Sequence, residues 1–402
     1  MLAIPFVRGL AMLATDGTVG VTEIVEGMHR DIAGFGAAPE LWRWTLTRFV
    51  YRLVRGGMDL SGKTVDLALG ATDRWLTLPS NSAAEGLLDD LASVLNGAFG
   101  DHLEASGNPL AIPIMLRVPQ GELAPERDQI AHAFSGPPRR LLLLVHGLCL
   151  NERCWSRGTE DLPATLAERL GYACVYLRYN SGRHVSVNGR DLAGLLDRLV
   201  AAWPTRLEEL SIVAHSVGGL VTRSACHQAV LAGQGWTRRL RTVVYLGTPH
   251  HGAPLEKLGQ LATVGLAWAP FARSLSHLGT ARSAGIKDLR HGNLLEEDWQ
   301  RCDQETTIGD HRRPVPLLPG VRHCLGAASL EQPGSVSPVA GMVGDLLVRV
   351  PSATGVHDEP ARTLDVPPAQ RRVFMGMNHF DLLSHPEVWA QVERWLVQDA
   401  GA

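Results

Sequence analysis

The sequence predicts an α/β chain built on a mostly parallel sheet flanked by helices. Three observations carry that prediction. From Arg140 onward, short apolar runs alternate with stretches whose apolar residues recur at helical spacing. The first run, LLLLVHGL (141–148), is continuously apolar, as a strand buried on both faces is. The chain has 402 residues, 45% apolar and 20% charged, which is ordinary globular composition with ample material for a core.

Residues 1–108 read as a helical region. Val21, Ile24, Met28 and Ile32 share one helix face, as do Trp42, Leu46, Phe49 and Leu53, and the stripe recurs at Ala84, Leu87, Leu88, Leu91, Leu95 and Ala98. AIPIMLR (111–117) is strand-like and marks a change of rhythm, so 109–402 reads as a second domain. Its further strands are expected at 141–148, 172–179, 210–216, 240–247, 322–330 and 371–377. Helices are expected at 162–170, 192–203, 218–231 and 386–399. The stretch at about 254–318 interrupts the alternation without a strand.

Composition excludes several classes. A net charge of −3 gives no global pull toward nucleic acid or an anionic membrane. No apolar run reaches the roughly 18 residues that span a bilayer. In MLAIPFVRGLAMLATDG the charge of Arg8 interrupts the apolar stretch rather than preceding it, so the expectation is a cytoplasmic protein without a signal peptide. Trp42, Trp44 and Phe49 lie among Arg43, Arg48, Arg52 and Arg55. A helix at 41–58 with that composition fits peripheral membrane contact, or docking on the second domain with its arginines solvated; docking is the preferred reading. Six cysteines without a CxxC pair read as free thiols rather than a zinc site or a disulfide framework.

Chemistry concentrates at SIVAHSVGG, which sets Ser216 between an apolar strand and a helix opening on two glycines. A nucleophile at a sharp strand-to-helix turn needs small neighbours two positions away, here Ala214 and Gly218. The helix from Val217 aims free N–H groups at a developing anion. Helix capping is the competing account of such a serine, and its candidate partners weigh against it. A tetrahedral intermediate needs two N–H donors, and Val217 pairs naturally with Leu148 in the His-Gly turn after 141–145. His146 then reads as structural.

The base belongs on a loop after the last strand, where MGMNHFDLLSHPEVW places His379. His385, before Pro386, reads as a surface or capping residue. His250 and His251 in GTPHHGAP invite a metal reading, but no third ligand stands at a diagnostic spacing, so loop packing near the site is preferred. The acid belongs between 330 and 379, where the candidates are Glu331, Asp345, Asp358, Glu359 and Asp365. Asp345 sits in GDLLVRVPSA, whose apolar residues would bury a carboxylate partner for the imidazole, while the others lie in a polar, Pro-rich loop.

Together HGL, AHSVGG, LGTPHHGAP, Asp345 of GDLLVRVPSA and His379 of NHFDLLSHPEV resemble bacterial lipases and esterases of the α/β-hydrolase superfamily. The Ala-His-Ser-x-Gly elbow resembles that of small Bacillus lipases, and GTPHHGAP resembles the GPI inositol-deacylase-like branch. The resemblance covers roughly 110–400. It implies an α/β-hydrolase fold with a helical cap at 254–318 and an N-terminal helical extension. It further implies a triad of Ser216, Asp345 and His379, with Leu148 and Val217 as oxyanion donors. Leu346 and Arg349 depart from the residues lipases often carry after the acid. The expected substrate is a small-molecule or lipid ester, with no cofactor and no metal. An acyltransferase or thioesterase of the same fold is one alternative; a non-catalytic binding protein on a hydrolase scaffold is another.

Within the interruption, LATVGLAWAPFA (261–272) carries almost no polar side chain and, at 12 residues, is too short to cross a bilayer. Its apolar faces must meet protein or substrate, and Leu261, Leu266, Trp268 and Phe271 are expected to line an acyl group. Trp268→Ala and Phe271→Ala should then lose kcat/KM selectively toward long-chain nitrophenyl esters. Equal loss at every chain length would make the segment merely structural.

Overall fold

The computed structural model describes residues 82–134, 136–156, 161–253, 283–300, 310, 312–332, 344–345 and 347–397, with positions 6, 8, 9, 12 and 13. The helix expected at 41–58, and Leu261, Leu266, Trp268 and Phe271, lie outside the described residues. The chain divides into two compact units. One joins Met1–Ile112 to Leu255–Ser283, and the other joins Pro113–Pro254 to Ala284–Ala402. The interruption is therefore shared, with 284–318 belonging to the larger unit.

The smaller unit contains helix α1 (Ser82–Ala105), which kinks at Phe99. Its apolar stripe is buried at Leu91, Leu95 and Ala98, as the helical spacing requires. Asn96, buried on the same helix, donates to Leu110 C=O and accepts from Ile112 N–H, tying the helix to the chain that leaves it. Ser283 Oγ donates to Gly97 C=O at 2.7 Å, so the end of 255–283 is fastened to α1.

The larger unit is an eight-stranded sheet. Its strands are β1 (Met115–Val118), β2 (Gly121–Leu123), β3 (Arg140–Val145), β4 (Tyr172–Arg178), β5 (Glu209–His215), β6 (Leu240–Leu246), β7 (Arg322–Ser329) and β8 (Arg371–Met375). The order across the sheet is β2-β1-β4-β3-β5-β6-β7-β8. Among the described residues β1 is antiparallel to both β2 and β4, and β3 to β8 are mutually parallel. Leu141 to Val145 are fully buried, as a continuously apolar central strand should be. The short β1–β2 hairpin caps one edge, and its second strand carries no hydrophobic run by which sequence could show it.

Helices cross between strands: α2 (Arg127–Ala133), α3 (Leu162–Arg169), α4 (Val185–Ala202), α5 (Val217–Leu231), α6 (Ala284–His291), α7 (Glu296–Gln300), α8 (Val350–Ala353) and α9 (Pro386–Val397). From β3 the chain steps through α3 to β4 on one side, then returns through α4 to β5 on the other. Crossovers between parallel strands are right-handed, so these opposite steps put α3 on one face and α4 and α5 on the other. The contacts agree, α4 packing on α5 and α3 on α9. The reversal between β3 and β5 is a topological switch point, where the loops leaving two adjacent strands diverge and open a crevice. The His-Gly turn follows β3 and Ser216 follows β5. Both candidate elements therefore flank that crevice.

Among the described residues no helix is long and apolar enough to cross a membrane. No disulfide joins any of the five described cysteines.

Helix α5 approaches β3 closely because it opens on glycine. A Cβ at Gly218 would stand 2.4 Å from His146 O and 2.7 Å from Val145 O, backbone atoms that cannot swing aside. At Gly194 on α4 a Cβ meets only Arg198 Nη1, at 3.6 Å. Gly218→Ala should therefore destabilise by about 1–3 kcal/mol or more, while Gly194→Ala should stabilise by about 0.5–1 kcal/mol through helix propensity. Urea melts of the two variants should move in opposite directions; equal shifts would refute the tight contact.

Candidate active site

Ser216 joins β5 to α5 in a backbone conformation few side chains adopt, with φ 55° and ψ −129°. Among the described residues only Cys149 shares a positive φ without being glycine. Such strain persists only where the surroundings over-determine it. Here Ser216 N–H donates to Leu246 C=O at the end of β6, at 2.8 Å, locking the turn to the neighbouring strand. A serine so held is presented at the N-terminus of a helix, above the carboxyl edge of the sheet.

The turn after β3 passes directly beside it. A Cβ at Gly147 would lie 3.0 Å from Ser216 Cβ and 2.9 Å from His215 Nδ1, so glycine is obligatory there. Leu148 comes next in the chain. Its N–H and that of Val217, the first residue of α5, have no acceptor among the described residues. Two free amides flanking a strained serine form an arrangement that can receive a developing oxyanion. His146 is buried against Tyr179, ring centroids 4.4 Å apart, and burial lowers its pKa to about 4. Its ring is therefore neutral near pH 7.

His379 lies after β8 in a turn that its neighbours fix. Asn378 Oδ1 accepts from Phe380 N–H, and Asp381 Oδ2 accepts from Asn378 N–H, both at 2.9 Å. The His379 Nδ1 meets Asp345 Oδ2 at 2.7 Å, with both side chains almost wholly buried. An ionised carboxylate only accepts, so the proton sits on Nδ1 and Nε2 is left basic. The other carboxylate oxygen of Asp345 accepts from Leu347 and Val348 N–H at 3.0 and 2.8 Å. That turn begins at Gly344, φ 56°, where a Cβ would strike Val348 O at 2.1 Å. The local Gly-Asp chemistry thus builds a buried socket for one carboxylate. Asp358, Glu359 and Asp365 are exposed, and Glu331 is half-buried.

The imidazole of His379 lies against the elbow. A Cβ at Gly247, φ 63°, would come within 2.8 Å of His379 Cε1, and Gly247 immediately succeeds the Leu246 that holds Ser216. The structure therefore gathers Ser216, His379, Asp345, Leu148 and Val217 at one edge of the sheet.

Sequence reasoning, which weighed His146 and the histidines beyond the elbow, missed His215. Its Nε2 donates to His379 C=O at 3.1 Å, and the two rings lie 4.6 Å apart. Burial first, and then the nearby His379, hold its pKa well below the ordinary value, so it remains a neutral donor. A polar residue ending an otherwise apolar buried strand was the available signal.

His250 and His251 pack in the loop after β6. Arg223 Nη1 faces His250 Nδ1 at 3.3 Å, and the His250 ring meets Tyr245 edge-on. His251 packs against His357, ring centroids 4.8 Å apart. Among the described residues no group of His, Cys, Asp or Glu side chains is placed to hold a metal ion. His385 is exposed and caps α9, its Nδ1 accepting from Glu387 N–H.

Sheet order, switch point and strand-to-helix serine decide the architecture. The chain has the α/β-hydrolase fold. In that fold the nucleophile, acid and base occur in chain order Ser, Asp, His, the order of Ser216, Asp345 and His379 here. A family model described as a domain of unknown function, DUF7379, matches residues 119–282. No curated protein matches the sequence. Among solved structures, the mature form of a Bacillus licheniformis lipase is 17% identical with a TM-score of 0.40, covering 70% of this chain and 99% of that one. A phospholipase from Legionella pneumophila is 15% identical at a TM-score of 0.41, covering 65% and 60%. An esterase from Pyrococcus furiosus is 14% identical at 0.37, covering 65% and 82%.

The buried histidines set an acid limit on the fold. Burial lowers His146 and His323 to about 4, and His215 and His250 fall well below the ordinary value. An unfolded chain protonates these rings near pH 6.5, before the folded one does. Their contribution to stability is thus complete above about pH 6.5 and is lost as pH falls from there toward 4. Urea midpoints should drop between pH 7.5 and pH 5, and a midpoint flat across that interval would show that these rings are not kept neutral by the fold.

Proposed function

We propose that this protein is a serine hydrolase of carboxylic esters, an esterase or lipase acting on apolar acyl groups through an acyl-enzyme on Ser216. One observation carries the reading. His379 Nδ1 is held 2.7 Å from a fully buried Asp345 beside a strained strand-to-helix serine.

The chemistry is a consequence of that arrangement. Nε2 of His379 takes the Ser216 proton as Oγ attacks the ester carbonyl, and Asp345 stabilises the imidazolium that forms. The carbonyl oxygen becomes an anion received by the amides of Leu148 and Val217. The imidazolium protonates the departing alcohol, leaving Ser216 acylated. Water, deprotonated by the same imidazole, then attacks the acyl carbonyl and releases the carboxylic acid. No step calls on a metal or organic cofactor. Within this reading, the AHSVGG elbow and the GTPHHGAP loop support a likeness to the small bacterial lipases and the inositol-deacylase-like branch.

A fluorophosphonate probe and a nitrophenyl ester test it together. Wild-type protein should label and turn over. Ser216→Ala should lose labelling and about 10⁶ in kcat, and Asp345→Asn about 10⁴. A folded Ser216→Ala protein with wild-type activity would overturn the mechanism. Loss in Asp358→Asn or Asp365→Asn, with Asp345→Asn active, would move the acid elsewhere. An unlabelled, inactive wild type would make the scaffold a binding protein, and acyl transfer outrunning hydrolysis when an alcohol or thiol acceptor is added would make it an acyltransferase.

A further inference from the structure

We infer that Tyr179 and Ser181 are positioning residues that fix the Leu148 amide for the oxyanion, a role that rests on the ester-hydrolase reading. The inference starts from strand pairing. β3 and β4 are parallel neighbours, in register to Val145 opposite Leu177. The chain leaving β4 therefore runs alongside the turn leaving β3, and its side chains meet that turn.

Two of them grip it on either side of the donor. Tyr179 Oη donates to His146 C=O at 2.9 Å, while its ring stacks on the His146 imidazole. Ser181 Oγ accepts from Cys149 N–H at 3.0 Å. The first bond holds the peptide group between His146 and Gly147. The second holds the one between Leu148 and Cys149. Between them lies a single peptide group, whose N–H belongs to Leu148 and has no acceptor among the described residues. The turn thus directs its N–H groups apart, Cys149 toward Ser181 and Leu148 toward no acceptor among the described residues.

The grip is needed because the turn is strained. Cys149 holds φ 61° without being glycine, directly after the donor. A strained residue relaxes when the contacts that over-determine it are removed. The gripping segment is itself anchored. Asn188 of α4 donates to Asn180 C=O at 2.9 Å, and Asn180 Oδ1 accepts from Gly182 N–H at 3.2 Å. Tyr179 and Ser181 are both almost wholly buried. Each acts through Leu148.

Freeing the turn should weaken binding of the transition state while leaving ground-state ester binding alone. Losing a whole oxyanion donor lowers kcat by about 10²–10³, and misplacing a group by about 1 Å costs up to about 10². Tyr179→Phe and Ser181→Ala should each lower kcat about ten- to a hundredfold with KM unchanged. Affinity for a trifluoromethyl ketone, which forms a tetrahedral oxyanion on the nucleophile, should fall by a similar factor. Ser181→Thr, which keeps a hydroxyl, should recover most of both. These are measured after wild-type protein has been shown to label with fluorophosphonate, so a failure of the ester-hydrolase reading appears first and separately, and removes this role with it. If either folded variant, checked by circular dichroism, keeps wild-type kcat and ketone affinity, or loses activity through KM alone, the positioning role of that residue is wrong. Tyr179→Phe keeps the ring that stacks on His146, so one variant survives even where Ser181→Ala fails to fold.

Discussion

Helix α5 lies so close to β3 and to the loop after β6 that two of its first three residues have no room for a side chain. A Cβ at Gly218 would meet the backbone of Val145 and His146, and one at Gly219 would meet Thr248 at 2.0 Å. The rest of the site depends on this contact. It draws the N-terminus of α5 against the ends of β3 and β6, so the serine before it must take a strained turn. It also draws the turn after β3 over that serine, which makes Gly147 obligatory. Free amides from two different elements thereby come to flank one side chain. The arrangement is a consequence of helix–sheet packing at a switch point, where the sheet itself leaves an opening.

Asp345 and His379 are held by a different device. Neither Asp345 nor His379 lies in a regular element; each sits in a tight turn stabilised by its own Asx-type hydrogen bonds. Such turns fix a side chain without a helix or strand to support it. They are joined to the elbow by His215, which ends β5 and donates to the backbone of His379. The neutral state of His215 matters to the proposed mechanism, in which a second charged ring beside His379 would be unfavourable. Burial keeps it neutral.

The sheet and the residues that it gathers at the candidate site were legible in the sequence for one reason. Buried parallel strands need continuous apolar runs, and a nucleophile turn needs small residues at fixed offsets, so both leave local marks. LLLLV and SIVAHSVGG are such marks, and strands β3 to β8 lie within the expected ranges, apart from end residues. Asp345 was legible because a carboxylate amid apolar residues needs a partner. The β1–β2 hairpin was only half visible, since GEL offers three residues with one apolar side chain. His215, Tyr179 and Ser181 were not seen at all. Their contacts run to His379, His146 and Cys149 and depend on the order of the strands in the sheet, a non-local property that no window of sequence encodes.

That difference also explains where the two kinds of residue sit. Groups that react carry a chemical signature, because only certain side chains can donate a proton or attack a carbonyl. Groups that hold them need only one hydrogen bond in the right place, and a tyrosine, serine or histidine supplies it equally well. The holding residues come from the ends of strands: the chain after β4 holds the turn after the adjacent β3, and the end of β5 reaches the loop after β8 past two intervening strands. Strand order, more than residue type, therefore selects them. A different order with the same motifs would leave Ser216, Asp345 and His379 in the sequence but would bring other side chains to the turn after β3. The precision of the site is in that sense a property of the sheet, and it reaches the reacting atoms through backbone amides and carbonyls.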